Sequence, residues 1–138
     1  MGKALFPSCV RCRTVIVLEA DSLIASDIAE EIASLDGEAM VYRAGSVREA
    51  MTRLGGIDRL DLLLLSNRGV DFATESDFAA LTRSARAVIV QSDREAPWAA
   101  GHPEARITPT AFTADTLRRD LRAITVAGAP LFPRRSPG

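Results

Sequence analysis

Short apolar runs alternate along the chain with stretches in which apolar residues return every three or four positions. That alternation predicts strands interleaved with helices. Thr14-Val15-Ile16-Val17-Leu18 is β-branched and apolar, reads as a buried strand, and ends at Glu19-Ala20-Asp21. Ile24, Ile28, Ile32 and Leu35 then recur at helical spacing; Asp21 or Ser22 can cap that helix and Gly37 can close it. Ala39-Met40-Val41-Tyr42 is a second strand. Ser46 and Glu49 have the spacing of a capping box ahead of the apolar stripe Val47, Ala50, Met51 and Leu54, which Gly55-Gly56 ends. Leu60-Asp61-Leu62-Leu63-Leu64-Leu65 shows almost no alternation, as expected of a central strand covered on both faces. Phe78 and Leu81 mark a short helix, and Ala87-Val88-Ile89-Val90 a fourth strand. Pro97, Gly101 and Pro103 argue against a regular helix in the next segment. Arg106-Ile107-Thr108-Pro109 is a fifth strand, suited to an edge because its proline lacks an amide hydrogen. Thr113 can cap a last helix with Leu117, Leu121 and Ile124 on one face.

Strands alternating with helices imply a parallel sheet with helices on both faces. Five strands with the third most apolar suit an α/β, doubly wound sheet in the order 2-1-3-4-5. The expected division is a leader over 1–12, one domain over 13–126 and a loose tail over 127–138, rich in proline, glycine and arginine. Parallel sheets bind ligands at the carboxyl ends of their strands. That rule gathers Glu19, Ala20, Asp21, Ser66, Asn67, Gln91, Ser92, Thr108 and Thr110 on one rim.

Composition narrows the function classes. The 138 residues are 47% hydrophobic and 25% charged with a formal net charge of -1, so no global charge favours nucleic acid or an acidic membrane. No apolar run is long enough to cross a bilayer or to serve as a secretory signal, and the cytoplasm is the default expectation. Cys9 and Cys12 have the spacing of half a zinc site or a redox pair, but they precede the first strand and read as loop thiols. The single histidine, His102, lies between Gly101 and Pro103 and reads as a surface residue rather than a catalytic base. No dinucleotide or phosphate-loop glycine motif follows the first strand. Arg118, Arg119 and Arg122 read as a solvated helix face, diluted by Asp115 and Asp120. Asp61, Asp71 and Asp93 read as structural.

The order of motifs resembles the receiver domain of bacterial two-component response regulators. Val15-Ile16-Val17-Leu18-Glu19-Ala20-Asp21 is similar to the family's first strand, which ends in an acidic pair. Leu60 to Ser66 is similar to the third, which ends in the phosphoacceptor aspartate. Ala87 to Ser92 is similar to the fourth, which ends in threonine or serine, and Thr110-Ala111-Phe112-Thr113 falls where the family has lysine-proline-phenylalanine-threonine. The resemblance runs from about Arg13 to Val126. Carried over residue by residue, it implies a degenerate pocket. Glu19 matches the first member of the magnesium-binding acidic pair, and Ala20 replaces the second. Asp21 follows at a position that usually does not ligate. Ser66 replaces the acceptor, Thr110 replaces the lysine, and Ser92 keeps the sensing hydroxyl.

Magnesium prefers carboxylate oxygens, so its binding is expected to be weak or absent, and no other cofactor is expected. A serine without an adjacent base is a weak nucleophile, so no enzymatic role is expected. The resemblance further implies docking or dimerisation through the region from Asp93 to Val126, with Trp98, Ile107, Leu117 and Arg118 as candidate interface residues and Ile107 where many relatives carry a switching aromatic. The expected function is a phosphorylation-independent interaction module in phosphorelay signalling. Its partner would be another signalling protein or a second copy, with neither nucleic acid nor membrane involved. A receiver with an atypical acceptor, and a domain binding a small ligand at the rim, are the alternatives.

Overall fold

Five segments with the strongest β-branched or leucine-rich character lie side by side as parallel strands in the computed structural model, which describes residues 13–66, 75–91, 104–108 and 113–132. They are β1 (Thr14–Leu18), β2 (Met40–Ala44), β3 (Leu60–Ser66), β4 (Ala85–Gln91) and β5 (Ala105–Thr108), ordered 2-1-3-4-5 as the sequence predicts. All four pairings are parallel; Val15 to Leu18 face Leu62 to Leu65, and Leu62 to Ser66 face Ala87 to Gln91.

Side-chain alternation divides the core in two. Val15 and Val17 of β1 with Leu62 and Leu64 of β3 pack under α1 (Ser22–Leu35) and α4 (Ala114–Ala123), against Ile28, Ile32, Leu117 and Leu121. Ile16, Leu18, Leu63 and Leu65 point the other way, toward α2 (Val47–Leu54) and α3 (Glu75–Ser84), against Val47, Ala50 and Leu81. Every residue of β3 is buried. Each of its four consecutive leucines contributes on the order of 2 kcal/mol of transfer free energy, which makes this strand the axis of the fold. β2 and β5 are the edges and carry the exposed Met40 and Ile107. No helix among the described residues is long and apolar enough to cross a membrane.

Helix ends follow the capping residues closely. The Asp21 side chain accepts from Leu23 N and Ile24 N, and the Thr113–Thr116 capping box starts α4. At α2 the Ser46 hydroxyl accepts from Glu49 N as expected, while the Glu49 carboxylate reaches back to Gly45 N at 2.6 Å. α1 ends at Asp36 rather than through Gly37, whose backbone does not adopt a left-handed conformation.

The expected loose tail is a correction for residues 127–132. A short antiparallel hairpin joins β6 (Thr125–Val126) to β7 (Ala129–Pro130) through Ala127 and Gly128, both with positive φ (54° and 83°). That pair of left-handed residues matches the twist of a two-residue hairpin. Beyond it Leu131 and Phe132 are 7% and 5% exposed and close the core under α1 and α4, while Arg13 Nε donates to Leu131 O at 2.9 Å. Gly128 shapes the turn and Pro130 pairs in β7, and together they return two apolar side chains to the core. Phe132→Ala is therefore expected to cost about 3 kcal/mol in urea unfolding; an unchanged midpoint would restore the reading of a loose tail.

Candidate functional site

Parallel register brings the tips of β1 and β3 level. Leu18 pairs with Leu65, and Glu19 N continues the ladder on the other side by donating to Ala44 O at 2.9 Å. One residue further, Glu19 and Ser66 fall on neighbouring strands and, by strand alternation, on the α1 side of the sheet. Both are almost wholly buried, at 3% and 1% exposure. Glu19 Oε2 accepts from Asp21 N at 2.9 Å. Among the described residues, Glu19 Oε1 and Ser66 Oγ have no hydrogen-bond partner. Two buried oxygens without a partner among the described residues, at the tips of neighbouring strands, mark this part of the rim, because buried polar atoms are nearly always paired.

Of the other rim residues, Ala20 is exposed and brings no ligand atom. Asp21 is exposed and its Oδ1 is committed to the α1 amides. Gln91 is buried at the tip of β4. Asn67, Ser92 and Thr110 lie outside the described residues, as do Asp71, Asp93, Trp98, His102, Cys9 and Cys12. Among the described residues no group of three or more histidine, cysteine, aspartate or glutamate side chains converges to hold a metal ion.

Thr108, expected on the rim, turns its hydroxyl inward and donates to Asp120 Oδ2. Arg106 Nε meets the other oxygen, Asp120 Oδ1, at 2.6 Å. A carboxylate 1% exposed thus clamps β5 to α4, with Thr108 itself buried. Sequence reading treated Asp120 only as a charge diluting nearby arginines. The available signal was its place in the stripe Leu117, Leu121 and Ile124, where helical spacing turns position 120 toward the sheet. Asp61 carries the same signal, as an acid inside an apolar strand. It accepts from Thr14 N at 2.8 Å and pairs with Arg59 and Arg86, at the end of β3 opposite the rim.

The expected interface residues separate. Ile107 is 44% exposed on the edge strand, as an interface residue must be. Leu117 is a correction: it is buried against α1 in the core and offers no surface, because it belongs to the inward stripe of α4. Arg118 lies beside it but is held to Glu31 of α1 by an ion pair of 2.6 Å.

No protein-family model matches the chain, and no curated protein matches it in sequence. Solved structures do match. A LuxR family DNA-binding response regulator from Silicibacter pomeroyi superposes with a TM-score of 0.59 at 18% identity, over 78% of this chain and 85% of that one. A Burkholderia pseudomallei protein described as pilus assembly-related gives a TM-score of 0.53 at 19% identity, over 80% and 90%. With the observed strand order, these likenesses show a flavodoxin-like fold of the receiver type.

Two stability measurements test the site's geometry. Ser66→Ala is expected to be neutral or to stabilise by about 1 kcal/mol, since it removes a buried hydroxyl without a partner; a loss of that size would mean the hydroxyl is bonded. Asp120→Ala leaves Arg106 and Thr108 without their shared acceptor and is expected to cost about 3 kcal/mol, against less than about 0.5 kcal/mol for the exposed Asp115→Ala.

Proposed function

We propose that this chain is a receiver-type domain of two-component signalling that does not accept phosphate and acts by docking another protein. One observation carries the reading: the tip of the central strand bears Ser66, buried, its hydroxyl without a partner among the described residues. Acyl phosphate formation at that position needs a carboxylate. A serine hydroxyl needs a base to attack phosphorus. Glu19 is the neighbouring carboxylate, and a proton taken by it would leave a buried pair without the positive charge that steadies a phosphoryl group in flight.

The described rim also does not fit magnesium. That ion demands near-octahedral oxygen coordination and usually keeps at least one or two carboxylates with its waters. Glu19 offers one oxygen, Asp21 has turned to cap α1, and Ala20 offers none. The domain is accordingly proposed to work without a cofactor and without enzymatic activity of its own. The likeness to a protein named as a response regulator supports signalling as the setting. The exposed Ile107 on β5, backed by the Asp120 clamp, supports the β5 edge as a docking surface presented in one fixed arrangement. The partner is proposed to be a second signalling protein or a second copy of the chain, in the cytoplasm.

The two orphaned oxygens favour one alternative, a small hydrogen-bonding ligand at the rim. A thermal-shift screen of nucleotides and metabolites separates the readings: a hit abolished by Ser66→Ala supports the ligand, and uniformly flat curves count against it.

The principal test is an amide spectrum recorded with magnesium and beryllofluoride, which mimics a phosphorylated aspartate. The expected outcome is no saturable shift at Glu19, Ser66 or their neighbours, and an oligomeric state by size exclusion with light scattering that is the same with and without the mimic. Saturable shifts at the rim would overturn the proposal.

A further inference from the structure

The outward face formed by α1 and α4 sorts its charges by helix. The two helices run side by side in the same direction. Ile24 and Ile28 of α1 meet Thr113, Ala114 and Leu117 of α4 across an open groove of about 390 Å³. Further along, Glu31 meets Arg118 in an ion pair of 2.6 Å, which occupies both partners. The groups around that bridge are not so occupied. Among the described residues Asp27 and Glu30 on α1 and Arg122 on α4 are exposed and make no ion pair. Arg119 is 63% exposed and comes no closer than 3.9 Å to Asp120, whose Oδ1 Arg106 already holds at 2.6 Å. Leu23, at the start of α1, is an apolar side chain 76% exposed, more than Ile107 at 44%.

Helical rise determines how this face complements itself. Asp27 lies four residues before Glu31, and Arg122 four residues after Arg118. They stand about 6 Å from the bridge in opposite directions. Glu30 lies one residue before Glu31, and Arg119 one residue after Arg118. A twofold axis through the bridge, normal to the helix layer, lays α1 of one copy antiparallel over α4 of another. It sets Asp27 against Arg122 and Glu30 against Arg119, twice each. Asp115, three residues before Arg118, falls over Ser34, so no acid meets an acid. Leu23 falls past the end of α4, where the β6–β7 hairpin begins.

We propose that a second copy of this chain covers the α1–α4 face about that axis. The charge pattern selects the occupant. A contact between identical surfaces needs one patch complementary to itself, whereas a wholly acidic or wholly basic partner would match only one of the two helices. Opposed charges set the register, and covering Leu23 takes apolar surface out of water. The proposal is independent of the receiver reading, since it uses neither the rim nor the β5 edge.

The test is sedimentation velocity on the full chain. A dimer is expected with a midpoint in roughly the micromolar range, weakened about tenfold between about 0.05 and 0.5 M sodium chloride because exposed pairs are screened. Asp27→Lys and Arg122→Glu each turn two attractions into two repulsions, and each is expected to weaken self-association by about tenfold or more. Mixed in equal amounts, the two variants regain both contacts and are expected to form a mixed dimer within about threefold of the parent midpoint. Neither a structural role for these residues nor a dimer through the β5 edge produces that rescue. A parent chain still monomeric at about 1 mM, a dimer indifferent to either reversal, or a mixture that stays monomeric overturns the proposal. Should either variant fail to fold, Glu30→Lys and Arg119→Glu run the same exchange at the neighbouring contact, with the same outcomes required.

Discussion

A strand covered on both faces has no room for polar chemistry except at its two ends. β3 is such a strand, buried from Leu60 to Ser66, and its four consecutive leucines serve two separate cores at once. Removing water from both faces makes the parallel ladder obligatory, since its amides and carbonyls have no other partners. It also confines the polar side chains of β3, Asp61 and Ser66, to its two ends. At the amino end, Asp61 is surrounded by the Thr14 amide and two guanidiniums. At the carboxyl end, Ser66 and Glu19 have oxygens facing no partner. Among the described residues, donors crowd the amino end of the strand while an oxygen of Ser66 at its carboxyl end has no partner.

The asymmetry extends to the flanking helices. α4 meets the sheet through apolar side chains except at Asp120, where Thr108 and Arg106 converge from β5. A buried charge held by two partners tolerates few geometries: moving β5 against α4 would leave a carboxylate or a guanidinium without its partner in a desolvated place. The edge strand is therefore pinned to α4 by a buried polar bond, whereas the central strand meets the helices through apolar packing. An edge held that way presents a surface of fixed shape.

Much of this was legible in the residues. The strand order followed from alternation and from the hydrophobicity of β3; the caps Asp21, Ser46 and Thr113 were readable because a side chain two or three residues from an amide has one geometry in which to satisfy it. Long-range pairing was less legible. Asp61 and Asp120 each find partners through the fold rather than the local chain, so their spacing marked them only as polar residues in apolar positions. Leu131 and Phe132 were missed because Pro130 and Gly128 carry the same sequence signal in a hairpin as in a tail; only the core tells the two apart. Leu117 was offered as interface while its own stripe placed it inward, and burial decides in favour of the stripe. At the rim, the residue identities were legible but not the orphaned state of Glu19 and Ser66, which depends on what surrounds them in space.

On the proposed receiver reading, the residues at the rim are also consistent with one another electrostatically. An aspartate at position 66 beside the buried Glu19 would put two like charges on adjacent strands in a poorly solvated corner. Such a pair is stable when a metal ion and a lysine stand between them, or when one carboxyl holds a proton. On the proposed receiver reading, Ala20 would stand in place of a second metal ligand and Thr110 in place of the lysine, and both sources of positive charge would be weakened together. A neutral hydroxyl at the tip of β3 then costs one unmade hydrogen bond, on the order of 1–3 kcal/mol, where an unpaired carboxylate would cost several. On that reading, serine would be the smaller burden in a pocket that has neither the metal nor the lysine. The same logic explains why restoring the acceptor alone should not restore the chemistry: an aspartate at 66 would regain a nucleophile but not the charge that its phosphorylation requires.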